Sequence, residues 1–261
     1  MTLSSSYEIY IRSESSPEDY QAALNKIIEL DREVFMHNNA DDSALDELFR
    51  DPADEDTIAV LIKLANKVVG YGFVKIITVE VEGKPVKAFQ PLSGILPKYV
   101  GNNIGRVVWL KTFLQALRIC GWRAYMVAFV MNPGIYRYIT NVSHRLYPSP
   151  YNTNCLSNES VALKSSIDCW KVPVAQGFEN ARYFVTADVE VAHKRSFNPR
   201  CKNDHFFMEY NHSYQKGRYL GICTKVTGTR ILVAILRTIR IAMAKRRDNK
   251  QIRSEINFSL E

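Results

Sequence analysis

The stretch Ile95 to Leu117, ILPKYVGNNIGRVVWLKTFLQAL, constrains this chain most. An apolar run from Ala88 to Leu96 reads as a buried strand. It stops at Pro97, which has no N–H to give a sheet ladder. A short loop, Lys98 to Asn103, carries Gly101, Asn102 and Asn103. A helix then starts near Ile104, with Val107, Leu110, Leu114 and Leu117 at helical spacing on one face. A strand, a Gly/Asn loop and a helix start together make an anion site, because the first helical turn has unpaired N–H groups and a partial positive charge. Gly101 lets backbone approach a phosphate closely, and the two asparagines tolerate left-handed conformations. Arg106 adds a full charge in the first turn. The turn is therefore a candidate pyrophosphate holder, although an ordinary strand-to-helix connection uses the same residue types. It is not a nucleotide triphosphatase loop, for no Gly-Lys-Ser/Thr follows. The three-glycine dinucleotide fingerprint and its ribose-binding acid are also missing.

At 261 residues the chain fits one large domain or a domain with an extension. The first twenty residues lack the basic start and apolar stretch of a signal peptide, and no segment has about 18 uninterrupted apolar residues for a membrane span. Cys120, Cys155, Cys169, Cys201 and Cys223 are odd in number and form no CxxC pair, which fits reduced thiols in the cytoplasm. His193, Cys201, His205 and His212 match no zinc spacing, so no metal is expected. The net charge of +7 is uneven. Residues 216–261 hold eleven Lys and Arg against three acids, a balance of +8, which leaves −1 for the preceding part.

In chain order, Tyr7 to Arg12 alternates as a short strand, and Pro17 to about Phe35 reads as a helix capped by Ser16. His37 to Asp56 is acidic and polar, with a short helix at Ser43 to Phe49. Thr57 to Ala65 and Val68 to Glu82 form a hairpin around Asn66-Lys67, and Val86 to Leu96 is the third strand after Gly83-Lys84. The helix from Ile104 ends near Cys120-Gly121. Tyr125 to Met131 is continuously apolar, as a strand covered on both faces would be. Asn132-Pro133-Gly134 breaks it, and a helix from Ile135 to Leu146 follows. Beyond this come a helix at Ser157 to Cys169, a strand at Ala181 to Ala192, and a basic, aromatic loop with Phe197, Asn198, Pro199, Phe206, Phe207 and Tyr210.

This order of elements over Thr57 to Leu146 resembles the GCN5-related N-acetyltransferase (GNAT) superfamily. Three segments carry the resemblance: IAVLIKLANKVVGYGFV with Gly70 and Gly72, ILPKYVGNNIG, and FVMN followed by a Tyr-bearing helix. The sequence departs from the family pattern at Val100, where Arg or Gln is usual, and at Asn103, where Gly is usual. The family's terminal Gly-Phe is also missing. The resemblance implies an α/β fold with a mixed, mainly antiparallel sheet flanked by helices. It implies an acyl-CoA-dependent N-acyltransferase, in which the acceptor amine attacks the thioester directly and no metal takes part. The donor would be acyl-CoA or an acyl carrier protein with the same phosphopantetheine arm. Ser93 to Leu96 would hold the pantetheine by backbone bonds. The cofactor site would comprise Ile95, Leu96, Val100, Gly101, Asn102, Asn103, Ile104, Gly105, Arg106 and Asn132. Tyr138, with Tyr136 in reserve, is the candidate acid, and Glu80 or Glu82 the candidate base. Solvent-facing strand carboxylates and ordinary helical tyrosines are the competing readings.

Thr229 to Arg247, TRILVAILRTIRIAMAKRR, reads as a basic amphipathic helix. It suits an anionic membrane surface, worth roughly 1 kcal/mol per basic residue, or a face packed on the core. No nucleic-acid recognition motif accompanies the charge. The expected division is a GNAT-like core over 1–191 and a C-terminal extension over 192–261. The extension's aromatics would line an acyl tunnel or form a satellite core. The rival function is a catalytically silent GNAT-like binding module, membrane-attached through the basic helix.

Overall fold

The computed structural model describes residues 5–35, 48–100, 104–143, 145–154, 156–172, 174, 198–211 and 219–229. In chain order the elements are β1 (Ser5–Ile11), α1 (Pro17–Phe35), β2 (Asp56–Leu64), β3 (Lys67–Val81), β4 (Lys84–Ile95), a 3-10 turn (Pro97–Tyr99), α2 (Ile104–Cys120), β5 (Tyr125–Val130), α3 (Pro133–Val142), β6 (Leu146–Tyr147), α4 (Asn158–Cys169), α5 (Lys202–Tyr210) and β7 (Leu220–Lys225). The strands make one sheet in the order β1-β2-β3-β4-β5-β7-β6. Every neighbouring pair is antiparallel except β4 and β5, which run parallel. The mixed α/β architecture with a mainly antiparallel sheet is thus the one expected.

Local chemistry fixes the element ends. Pro17 occupies the first helical position of α1, and the Ser16 hydroxyl accepts from the Asp19 N–H at 3.1 Å. Ala65 and Asn66 take positive φ, 47° and 64°, in the β2–β3 turn. Glu82 and Gly83 do the same between β3 and β4, at 54° and 69°. Paired left-handed residues match the twist of a tight hairpin. Gly121, at φ 76°, ends α2.

Helices cover both faces of the sheet. On one, Tyr71 and Phe73 of β3 pack under α1 with Leu24, Ile27 and Ile28, and Ile77 and Val79 pack under α4 with Leu163 and Ile167. On the other, Val74, Ile76, Phe89 and Met126 meet Ala116 and Leu117 of α2, Tyr136 and Ile139 of α3, and Phe206 and Phe207 of α5.

Several expectations are corrected. The buried stripe of α2 is Ile104, Val108, Thr112 and Ala116, with Leu117. Leu110 and Leu114 instead stand 51% and 47% exposed. Apolar residues occur on nearly every side of this helix, so spacing alone left its inward face ambiguous. The helix after Asn132 stops at Val142, and Leu146 belongs to a strand. The aromatic loop is partly the helix α5, whose Phe206 stacks on Tyr136 at 6.2 Å between centroids, while Phe207 lies 5.2 Å from it. These rings build the core on that face. β7 lies between β5 and β6, so a boundary at 191/192 would cut one sheet in two. The strand expected at 181–192 lies outside the described residues, as do nearly all of the basic 229–247 segment and residues 37–47 of the acidic segment. Among the described residues no helix is long and apolar enough to cross a membrane.

Candidate active site

β4 and β5 touch at only two register positions, Ala88↔Tyr125 and Phe89↔Met126. Beyond them β4 stays paired with β3 as far as Gly70↔Ile95, and β5 with β7 as far as Val130↔Leu220. Gln90 to Ile95 and Val127 to Val130 are therefore held from their outer sides only. The sheet opens as a V along its middle. Pro91 removes one ladder donor from the diverging strand. Backbone N–H and C=O groups on facing strand edges need partners, and an extended polyamide chain lying in the V would supply them.

The N-terminus of α2 sits at the open end. Ile104 is buried with Ile62, Val69 and Val108, and Ile95 and Tyr99 pack against this cluster. A Cβ on Gly105 would lie 3.0 Å from Ile95 Cδ1. A Cβ on Gly72 would fall on the Thr112 hydroxyl, so α2 crosses β3 at backbone-limited distance. The helix start is thereby fixed against the sheet by two glycines. Val100 is 65% exposed on the approach. Gly101, Asn102 and Asn103 lie outside the described residues, and of Arg106 only the helical backbone is described.

The remaining expected site residues scatter. Asn132 caps α3: its side chain accepts from the Gly134 N–H at 2.7 Å. Tyr136 is 0% exposed and donates its hydroxyl to the Pro148 carbonyl at 2.9 Å. That phenol is committed to tying α3 to the chain after β6, which removes it as a reserve acid. Tyr138 projects elsewhere on α3 and is 42% exposed. Glu80 lies on the hairpin side of β3, where it pairs with Pro85, and Glu82 sits in the turn itself. From Ile76, which pairs with Phe89, Glu80 is four residues away from the opening, about 13 Å. Neither glutamate reaches the V. Glu80 is a solvent-side residue of the strand end and Glu82 an exposed turn residue.

Two buried polar clusters were not anticipated. Near the apex of the V, Lys75 lies opposite Gln90 in the β3–β4 register. Its ammonium reaches the Asp51 carboxylate at 3.0 Å and Asp54 at 4.0 Å. The Trp170 indole donates to Asp54 at 2.8 Å. Burial pushes the Asp54 carboxyl up to about 6, against the opposing pull of Lys75 and the indole. Near the mouth, the Tyr71 hydroxyl donates to the buried Asp31 carboxylate of α1. Burial, reinforced by that carboxylate, raises Tyr71 well above the ordinary phenol value. Tyr219, just before β7, is raised by burial and by the same Asp31. A sequence signal for Asp31 existed. It continues the inward face Tyr20, Leu24 and Ile27 of α1, where a carboxylate needs a reason to be.

Neither a family model nor a curated protein sequence matches the chain. Solved structures do. A probable N-acyltransferase from Enterococcus faecalis V583 matches at 12% identity over 51% of this chain and 31% of its own, with a TM-score of 0.38. A GNAT-family acetyltransferase from Brucella melitensis in complex with acetyl-CoA matches at 19% identity over 50% of this chain and 80% of its own, with a TM-score of 0.35. A GNAT-family N-acetyltransferase from Escherichia coli in complex with CoA matches at 19% identity over 52% of this chain and 68% of its own, with a TM-score of 0.37. This chain therefore spans about a third of the first structure's length and matches through roughly half of itself.

Proposed function

We propose that the protein is an N-acyltransferase that moves an acyl group from a phosphopantetheine thioester, acyl-CoA or acyl carrier protein, to an amine. The observation that carries this reading is the parallel β4–β5 pair, joined at two positions and open beyond them, with a helix N-terminus at its open end. The pantetheine amides pair with the free edge of Ser93 to Leu96. The diphosphate of CoA lies against the α2 start at Ile104 and Gly105, where the helix dipole and the N–H groups of the first turn favour an anion. Arg106, in the first turn of α2, is the candidate counter-charge. The amine attacks the thioester carbonyl carbon with no covalent enzyme intermediate. Tyr138 keeps its place as candidate acid for the departing sulfur, since its phenol is not buried.

The test is acyl-CoA capture. Native mass spectrometry of the purified protein with acetyl-, octanoyl- and palmitoyl-CoA should show one bound molecule per chain. Thiol release should then follow on adding amines. Gly101→Glu, which puts a carboxylate where the diphosphate would lie, should weaken binding at least tenfold. Unaltered binding in that variant would move the diphosphate elsewhere on the molecule.

A further inference from the structure

Polar groups from both halves of the sheet stand near the mouth of the V. Tyr71 belongs to β3, yet its ring lies across Gly94 of β4. A Cβ on Gly94 would fall inside that ring, with the hydroxyl 3.1 Å away. Gly94 lies on the diverging part of β4, which has no β5 partner. The missing side chain thus lets a phenol from β3 reach the lip of the opening. There it meets Asp31, which descends from α1. From the far half comes Tyr219, next to Leu220, the residue that pairs with Val130 at the open end of β5. Burial first, and then the Asp31 carboxylate, raises both the Tyr71 and the Tyr219 phenol. Asp31 and Tyr71 are 3% and 1% exposed, whereas Tyr219 is half-buried. One carboxylate thus holds a buried phenol by a hydrogen bond, and a more accessible phenol stands at the end of the far half of the sheet.

We infer that Asp31, Tyr71 and Tyr219 form the proton-accepting cluster of the acyl transfer, taking a proton from an acceptor that arrives as an ammonium ion. The inference rests on the acyltransferase reading above. The ammonium gives one proton to the cluster, entering at the Tyr219 hydroxyl and ending on the Asp31 carboxylate. The neutral nitrogen then forms its bond to the thioester carbonyl carbon, and the carbon–sulfur bond breaks. The departing thiolate takes a proton from Tyr138, and the second proton shed by that nitrogen restores the phenol. Asp31 returns its proton to solvent once the thiol has left. Tyr71 is a positioning residue, because its hydrogen bond fixes the carboxylate over Gly94. The acceptor class follows: an amine protonated at neutral pH, such as a primary aliphatic amine, in preference to an aniline.

The experiment pairs a binding readout with a turnover readout. In protein labelled with 3-fluorotyrosine, the fluorine resonances of positions 71 and 219, assigned through Tyr71→Phe and Tyr219→Phe, should shift when acetyl-CoA binds. Asp31→Asn and Tyr219→Phe should each keep acetyl-CoA affinity within about threefold. Both should lose about 100-fold or more in transfer to the best of spermidine, a lysine peptide and glucosamine, the range expected for general base catalysis. Should Asp31→Asn not fold, Tyr219→Phe decides alone. Acetyl-CoA binding with no movement of either resonance, or full transfer by Tyr219→Phe, would overturn the cluster's role and leave the acyltransferase reading standing. A wild-type protein that binds no acyl-CoA would remove both.

Discussion

The two halves of the sheet are built differently. β2, β3 and β4 follow one another through two-residue turns, each strand pairing with its successor. β5, β7 and β6 assemble out of chain order, and β7 arrives some ninety residues after β5. The first half is held by local pairing, so its stability is spread over many residues. The second half depends on a few large side chains. Tyr136 joins α3 to α5 through Phe206 and Phe207 and to Pro148 through its hydroxyl. The opening lies between these halves, where a hairpin meander ends and a long-range assembly begins.

That contrast can be broken most sharply at Tyr136. Tyr136→Ala should destabilise the protein by about 3–5 kcal/mol, as loss of a buried aromatic does. Tyr136→Phe should cost about 1–3 kcal/mol, by leaving the Pro148 carbonyl unsatisfied. Urea unfolding checks both. If the alanine variant were no less stable than the phenylalanine one, the second half would not hang on this ring.

Asp54 offers a pH handle in the first half. Its carboxyl is raised from 3.8 to about 6, so the native state holds that proton more tightly than the unfolded chain. The stabilisation this gives is complete below about 3.8 and is lost as pH rises through about 6, a swing of roughly 3 kcal/mol at most. Asp54→Asn should flatten that slope. Stability curves of equal slope for the two proteins would mean that Lys75 and Trp170 already stabilise the charged form fully.

Gly72→Ala should cost about 1–3 kcal/mol, because its Cβ meets Thr112 and pushes α2 off the sheet. The same displacement moves the α2 start, so acyl-CoA affinity should fall along with thermal stability. Gly83→Ala is the control: it meets nothing within 4 Å and bears only the strain of a positive φ. At the small end, Leu110→Gln and Leu114→Gln should change stability by no more than about 0.5 kcal/mol, since both face solvent. Larger losses would put back the inward face that spacing had predicted.

The same contrast explains what could be read in advance. The α1 span, Pro17–Phe35, was legible to the residue because proline, serine cap and apolar period agree. The β2–β3–β4 meander was legible because turn residues and alternation are local signals. β7, LGICTK, was not, for its partners lie far away in sequence and its apolar run is short. α5 follows Cys201, an N-cap with no side-chain cap bond, and dilutes Lys, Met and Glu with Asn, Asp, His, Phe and Tyr, all modest helix formers. At the site, the strand end and the helix start were anticipated from an apolar run, a proline and a loop. Glu80 and Glu82, the candidate bases, were chosen by their place late on the long strand, and the register puts them at the closed end. Asp31 went unseen because one carboxylate on an amphipathic helix looks like solvent-side polarity until its phase is counted.

The central claim is that the V between β4 and β5 holds a pantetheine thioester. Amide hydrogen exchange with and without acetyl-CoA tests it most directly. Peptides covering 90–96, 127–130 and 104–108 should slow their exchange by at least tenfold when the thioester is present, while the Lys67 to Val81 strand stays unchanged. Bound acetyl-CoA that leaves those three segments exchanging as before would contradict the account.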